Sequence, residues 1–159
     1  MNRPVTIDTI TERMKEFGTA GQVRKNRIRM KTVPEKIHDA ITTSQAMLGF
    51  DRLITISTVD NGQTFELLYH LIGSDRIIMS LAIDLPRDNP VTPTVSDLLP
   101  SAGIYERQIH DLFGIVFSGN PNMKRIMLNE DWPPEEYPLR KDWKPNPDVF
   151  YGGIKGERS

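Results

Sequence analysis

Apolar and polar positions alternate along the chain with two different periods. Ile7, Ile10, Met14 and Phe17 recur at intervals of three, four and three, which predicts a short amphipathic helix. Thr6 or Asp8 is placed to cap it, and Gly18 and Gly21 to end it. From Arg24 to Val33 the period falls to two. Ile28 and Met30 point to one side while Lys25, Arg27, Arg29 and Lys31 point to the other, as in one extended segment. Pro34 suits the first turn of a second helix that runs to about Leu48. Its buried face is expected to carry Ile37, Ala40, Ile41, Ser44, Met47 and Leu48, and Gly49 is its stop.

Leu53 to Val59 and Thr64 to Ile72 flank Asp60-Asn61-Gly62-Gln63, a hairpin signal. A turn at Gly73-Ser74-Asp75 leads into Arg76 to Ile83, which is apolar on both faces and expected at the centre of a sheet. Leu85 to Pro93 reads as a proline-broken loop and Thr94 to Leu99 as a single helical turn. Pro100 then starts a third helix reaching Phe113, with Ala102, Tyr105, Ile109 and Leu112 on one face. Ile115 to Phe117 is a short apolar run, followed by a turn over Ser118 to Pro121. This order predicts an α+β fold: a two-layer sandwich of helices on a mixed, largely antiparallel sheet, with an irregular C-terminal arm. The expected boundary puts residues 1–128 in the domain and 129–159 in the arm, which is rich in proline and aromatic residues.

Composition narrows the classes. At 159 residues the chain is sized for one domain with a real core. A formal charge of −1 gives no global drive toward nucleic acid or an anionic membrane. No cysteine is present, which excludes disulfides, thiolate catalysis and ordinary iron–sulfur ligation by these residues. No stretch approaches the roughly 20 apolar residues of a membrane span. Asp8, Glu12 and Arg13 stand where a secretory signal would be apolar.

Few sites of known chemistry are visible. Phosphate-binding glycine loops, serine elbows and paired-histidine metal motifs are missing from the sequence, and three widely spaced histidines make no metal cluster. Glu106 with His110, and Arg107 with Asp111, are i,i+4 pairs on the third helix. Glu106, His110 and Asp111 could form an acid–base group if a cleft enclosed them; the alternative is a lattice of partly buried ion pairs in which Arg107, Arg125 and Arg140 hold nearby acids. The basic stripe Lys25, Arg27, Arg29 and Lys31 could grip phosphates, or could be a solvated edge strand kept soluble by charge. His38 and His70 read as surface or packing residues. Trp132, Tyr137 and Trp143 on a semi-rigid arm suit either a protein contact or packing on the chain's own domain. The tail from Val149 to Gly153 is expected to expose apolar residues to a partner.

One long run of residues carries more. Glu106-Arg107, then Asp111-Leu112-Phe113-Gly114-Ile115, Phe117, Pro121, Lys124-Arg125-Ile126, Asp131-Trp132 and Pro138-Leu139-Arg140-Lys141-Asp142 resemble the signature of the complex I thirty-kilodalton subunit family, called NuoC in bacteria, with a methanogen branch, FpoC. The preceding stretch from Leu85 to Arg107 also resembles the family's approach to that signature. Gln108 departs from a frequent second glutamate, Asn120 from a common histidine, and Pro133-Pro134-Glu135-Glu136 lengthens a loop.

The resemblance implies a structural subunit in the hydrophilic arm of an ion-translocating oxidoreductase. It implies no catalytic, metal or cofactor-binding residue in this chain, with iron–sulfur clusters and flavin in partner subunits. The implied partners are a NuoD-type large subunit and NuoB-type and NuoI-type iron–sulfur subunits, with no nucleic acid and with membrane contact only through the complex, on the cytoplasmic face. Glu106, Arg107, Asp111, Arg125, Trp132, Arg140, Lys141 and Asp142 would belong to the ion-pair lattice and docking surface. The electron donor would be NADH or reduced deazaflavin and the acceptor a quinone-like membrane carrier. The short chain and the divergent loop point to an archaeal deazaflavin-linked complex. A related membrane-bound hydrogenase is one alternative; a small nucleic-acid-binding module using the basic strand is another.

Overall fold

The computed structural model describes residues 5–73, 75–149 and 151. Helix α1 (Ile7–Met14) is capped by Thr6, whose hydroxyl accepts from the Thr9 amide, and buries Ile10 and Met14. The extended segment expected over 24–33 is instead a hairpin, β1 (Thr19–Arg24) and β2 (Arg27–Lys31), turning at Lys25-Asn26. β1 has no apolar alternation because it lies exposed at the sheet edge, so no period marks it. A Cβ on Gly18 would lie 1.8 Å from the Lys31 carbonyl oxygen, so only glycine lets the chain enter this hairpin.

A single 3-10 turn over Pro34–Lys36 leads into α2 (Ile37–Leu48), closed by Gly49 in the left-handed conformation. Its buried face holds Ile37, Ala40, Ile41, Ser44 and Leu48, but Met47 is 51% exposed. Met47 sits beside the stripe, one position before Leu48, and the helix rotates it into solvent. Strands β3 (Arg52–Asp60) and β4 (Thr64–Ile72) form the expected hairpin, and β5 (Ile78–Pro86) lies antiparallel to β4. Arg76, expected at the start of that last strand, has φ 57° and belongs to the turn before it.

The sheet order is β1-β2-β5-β4-β3, with β2 and β5 parallel and the other pairs antiparallel. The mixed, mostly antiparallel sheet and its three helices make the α+β fold that the element order implies, with β5 at the centre. Phe65, Leu67, Tyr69 and Leu71 of β4 and Met79, Leu81, Ile83 and Leu85 of β5 turn to the buried side, where they join one core with residues of all three helices. Two further strands come from segments read as irregular or merely apolar. β6 (Val91–Pro93) pairs in parallel with β7 (Val116–Ser118) across α3 (Ala102–Phe113). The last regular element thus ends at Ser118, eleven residues before the expected start of the arm.

Candidate docking site

α3 is amphipathic, yet two of its acids face inward. Glu106 is 0% and Asp111 5% exposed. Glu106 accepts from the Thr94 hydroxyl at 2.6 Å, the Val95 amide at 2.9 Å and the Asn120 side-chain amide at 2.7 Å. It therefore ties the turn before α3 to the turn after β7. Beside it, burial and then the Glu106 charge push the enclosed Tyr69 phenol far above its ordinary proton affinity. Asp111 turns to another segment: one carboxylate oxygen accepts from the amides of Ile126, Met127 and Leu128, at 2.8, 2.9 and 3.4 Å. Arg107 donates to the carbonyls of Lys124 and Arg125. The two i,i+4 pairs suggested by the sequence are not made. Each side chain instead meets backbone of a segment without ladders, where such groups need a partner, and Glu106 also meets the side chains of Thr94 and Asn120.

The arm is held in the same manner. Arg125 donates from one nitrogen to the carbonyls of Asn129 and Trp132. Trp132 donates from its ring N–H to the Glu136 carbonyl, and Trp143 donates to the Glu136 carboxylate. Trp132 also packs against Trp143 and Tyr151, with ring centroids 5.8 and 4.8 Å away, so it belongs to a small aromatic core within the arm. Tyr151, expected to lie exposed with the tail, is part of that core; Phe150, Gly152 and Gly153 lie outside the described residues.

The arm then crosses the C-terminus of α3. The Leu139 amide donates to the Leu112 carbonyl at 3.1 Å, and Arg140 donates through Nε to the Phe113 carbonyl at 2.7 Å. These carbonyls are left free by the helix end, and a cation suits the negative end of its dipole. The Arg140 guanidinium also lies over the rings of Tyr137 and Phe65. Gly114 makes the crossing possible. Its φ is 74°, and a Cβ there would stand 2.5 Å from the Tyr137 ring and 2.7 Å from Arg140.

Two residues outside the signature complete the anchor. Asp60, at the end of β3, accepts from Arg87, from the Lys141 amide at 2.8 Å and from the Gly62 amide at 2.8 Å. Arg87 also holds Asp142. Burial works to raise the Asp60 carboxyl, but the Arg87 hydrogen bond and the Lys141 and Gly62 amides outweigh it and bring it to about 2. A signal for Asp60 was present, since Asp-Asn-Gly allows an aspartate to hydrogen-bond the amide two residues on. No local pattern marks Arg87. Of the eight signature residues, only Asp142 makes an ion pair among the described residues; the others use backbone groups, neutral side chains, aromatic faces or, for Lys141, its own amide.

As an acid–base group the site is poorly arranged. Glu106, His110 and Asp111 bind three different segments, and the Nδ1 of His110 is engaged with the Ile115 carbonyl at 2.9 Å. A cavity of about 270 Å³ lies between α3 and the arm, lined by His110, Asp111, Arg125, Glu136 and Tyr137. Within the basic stripe, Arg29 pairs with Glu66 and Lys31 with Asp84, so half of its charge is already met within the sheet. No helix among the described residues is long and apolar enough to cross a membrane.

The family model for the respiratory-chain NADH dehydrogenase 30 kDa subunit matches residues 30–149. The C-type subunit of the F(420)H(2) dehydrogenase of Methanosarcina mazei is 32% identical over 91% of this chain and 93% of its own length. The C-type subunit of the NADH-quinone oxidoreductase of Roseiflexus sp. is 37% identical over 69% of this chain, but over only 65% of its own length. The chain thus spans less than two thirds of the first bacterial relatives it matches. In Bacteroides thetaiotaomicron the relative is a C/D fusion, 34% identical over 73% of this chain and 24% of the fusion. Among solved structures, a chain of the membrane-bound sulfane sulfur reductase, an archaeal respiratory membrane complex, superposes with TM-score 0.76 at 30% identity, covering 87% of this chain and 83% of that one. A trypsin-resistant fragment of Nqo5 superposes with TM-score 0.64 at 27% identity, covering 73% of this chain and 98% of the fragment.

Proposed function

Since the chain belongs to the family of the respiratory-chain NADH dehydrogenase 30 kDa subunit, we propose that it is a structural subunit of a complex-I-like, ion-translocating oxidoreductase. On this reading it binds no cofactor itself. It docks on a large subunit of the D type and lies near iron–sulfur subunits of the NuoB and NuoI types, which carry the electrons together with a flavin protein. The observation that carries the reading is the use made of the signature residues. Glu106, Arg107, Asp111, Arg125 and Arg140 each hold backbone in place. Such an arrangement makes a rigid surface out of irregular chain, which is what a docking subunit needs. The fused C/D relatives support a D-type neighbour, because fusion keeps two contacting subunits in one chain.

The relative matched over 91% of this chain and 93% of its own length is named for F(420)H(2), which favours reduced deazaflavin over NADH as the electron donor. A quinone-like carrier in the membrane would be the acceptor, and the complex would be held on the cytoplasmic face by its other subunits. A tag on this chain, gentle detergent extraction of native membranes, mass spectrometry of the co-purifying proteins and assays for iron and flavin test the reading. Co-purification of a D-type subunit, iron–sulfur proteins and integral membrane subunits is expected, and the donor-binding subunit in the sample names the donor. A chain that emerges alone, or with nucleic acid, overturns it.

A further inference from the structure

The five-stranded sheet has helices on one side only; its other side is open among the described residues. The strand registers align side chains on that side into rows. At the end where β1 turns into β2, the row reads Arg24, Arg27, Ile78, Ile72, Arg52 across the five strands. In the rows behind it cations and acids are matched, Arg29 with Glu66 and Lys31 with Asp84. In the end row they are not. Arg24, Lys25 and Arg27 make no ion pair among the described residues, and Arg52 has only a 3.8 Å approach to the exposed Asp51. Arg76, exposed in the turn before β5, adds a further cation at the same end. A chain of net charge −1 has therefore gathered unmatched arginines around two half-buried isoleucines.

We propose that this end of the open sheet face docks a helix of another subunit of the same complex, apolar in its middle and acidic at both ends. The proposal rests on the subunit reading above. Guanidinium groups are weakly hydrated and hold carboxylates with two bonds, which suits them to protein interfaces. Arg27 and Arg52 stand three strand spacings apart, about 14 Å. A helix rising about 1.5 Å per residue and laid across the strands would meet both with carboxylates roughly nine residues apart, its apolar residues resting on Ile72 and Ile78. The half-buried Ile72 and Ile78 between the arginines suit an apolar helix middle better than a lattice of phosphates, which would leave them uncovered. The match to the family model starts at residue 30, so Arg24 and Arg27 stand outside it, and the site is read from this chain's own geometry.

The test uses the intact complex, extracted through a tag on this chain and treated with a water-soluble carbodiimide, which joins amines directly to carboxylates. Lys25 supplies one amine, and the variants Arg27→Lys and Arg52→Lys supply two more. All three should join Asp or Glu side chains on one helix of one partner subunit. The double variant Arg27→Glu/Arg52→Glu should lower recovery of the complex at least tenfold, while the isolated chain melts at an unchanged temperature. Amines that join only this chain, or that acetylate as fast in the complex as in the isolated chain, overturn the proposal and leave the subunit reading intact. Linkage to phosphatidylserine would mark a bilayer contact and overturn it equally. A chain that brings no other subunit with it overturns both.

Discussion

The sandwich and the segment that follows it solve the same problem in opposite ways. Up to Ser118 the backbone pairs with itself in helices and ladders, and apolar alternation decides which side is buried. From residue 119 to 149 no helix or strand forms, and amides and carbonyls are met by side chains of Arg107, Asp111, Arg125 and Asp60. Charged groups that would be costly inside a ladder fold become useful where the backbone is irregular, because a carboxylate can serve three amides at once. A run of charged signature residues therefore need not be an active site or an ion-pair network.

Two substitutions separate the regions. Leu67→Ala removes a fully buried side chain of β4 and should destabilise the whole chain by about 3–4 kcal/mol, read as a lower urea midpoint. Asp111→Ala leaves three amides without their acceptor and should remove about 2–3 kcal/mol, concentrated in one segment. Hydrogen exchange should quicken at residues 126–128 well before it does in β4 and β5. Uniform quickening would mean that arm and sandwich unfold as one unit and that the contrast between them has no energetic content.

The same contrast explains what could be read from the sequence. α1, α2, α3 and the β3–β4 hairpin were legible because burial on one side imposes a period, and because Gly49 and the Asp60-Asn61-Gly62 turn punctuate it. β1 was not, since an exposed edge strand needs no alternation, and β6 is too short to show any. At the candidate site the residue types were visible but their partners were not. Arg107 and Asp111 are spaced to pair with each other, and only the fold brings the 124–128 backbone within their reach. Arg87 had no local mark because its two acids lie 27 and 55 residues away.

Gly114→Ala acts at the boundary between the regions. The left-handed backbone alone disfavours alanine by about 1 kcal/mol, and the new methyl would displace Tyr137 and Arg140 from the end of α3, for a total near 2 kcal/mol. The expected result is a sandwich that stays folded with an arm that is cut more readily by trypsin after Arg140 and Lys141. Equal protease resistance in the two proteins would show that the arm does not depend on the crossing.

The effect at Asp60 is the most specific, because it can be switched off by pH. Asp60 titrates at about 2 in the folded chain. An unfolded aspartate titrates near 3.9, so the folded value is depressed, and the carboxylate stabilises the fold above that unfolded value. The difference corresponds to at most about 2.6 kcal/mol at neutral pH, lost progressively as pH falls from about 5 to about 2. Urea unfolding of the native chain and of Asp60→Asn should therefore differ most at pH 6 and converge in acid. Because the Lys141 amide is one of the donors to Asp60, release of residues 137–143 should follow the same curve in hydrogen exchange. A stability difference that persists below pH 2 would mean that the role of Asp60 does not depend on its charge. The hold on the arm would then rest on Arg140 at the helix end.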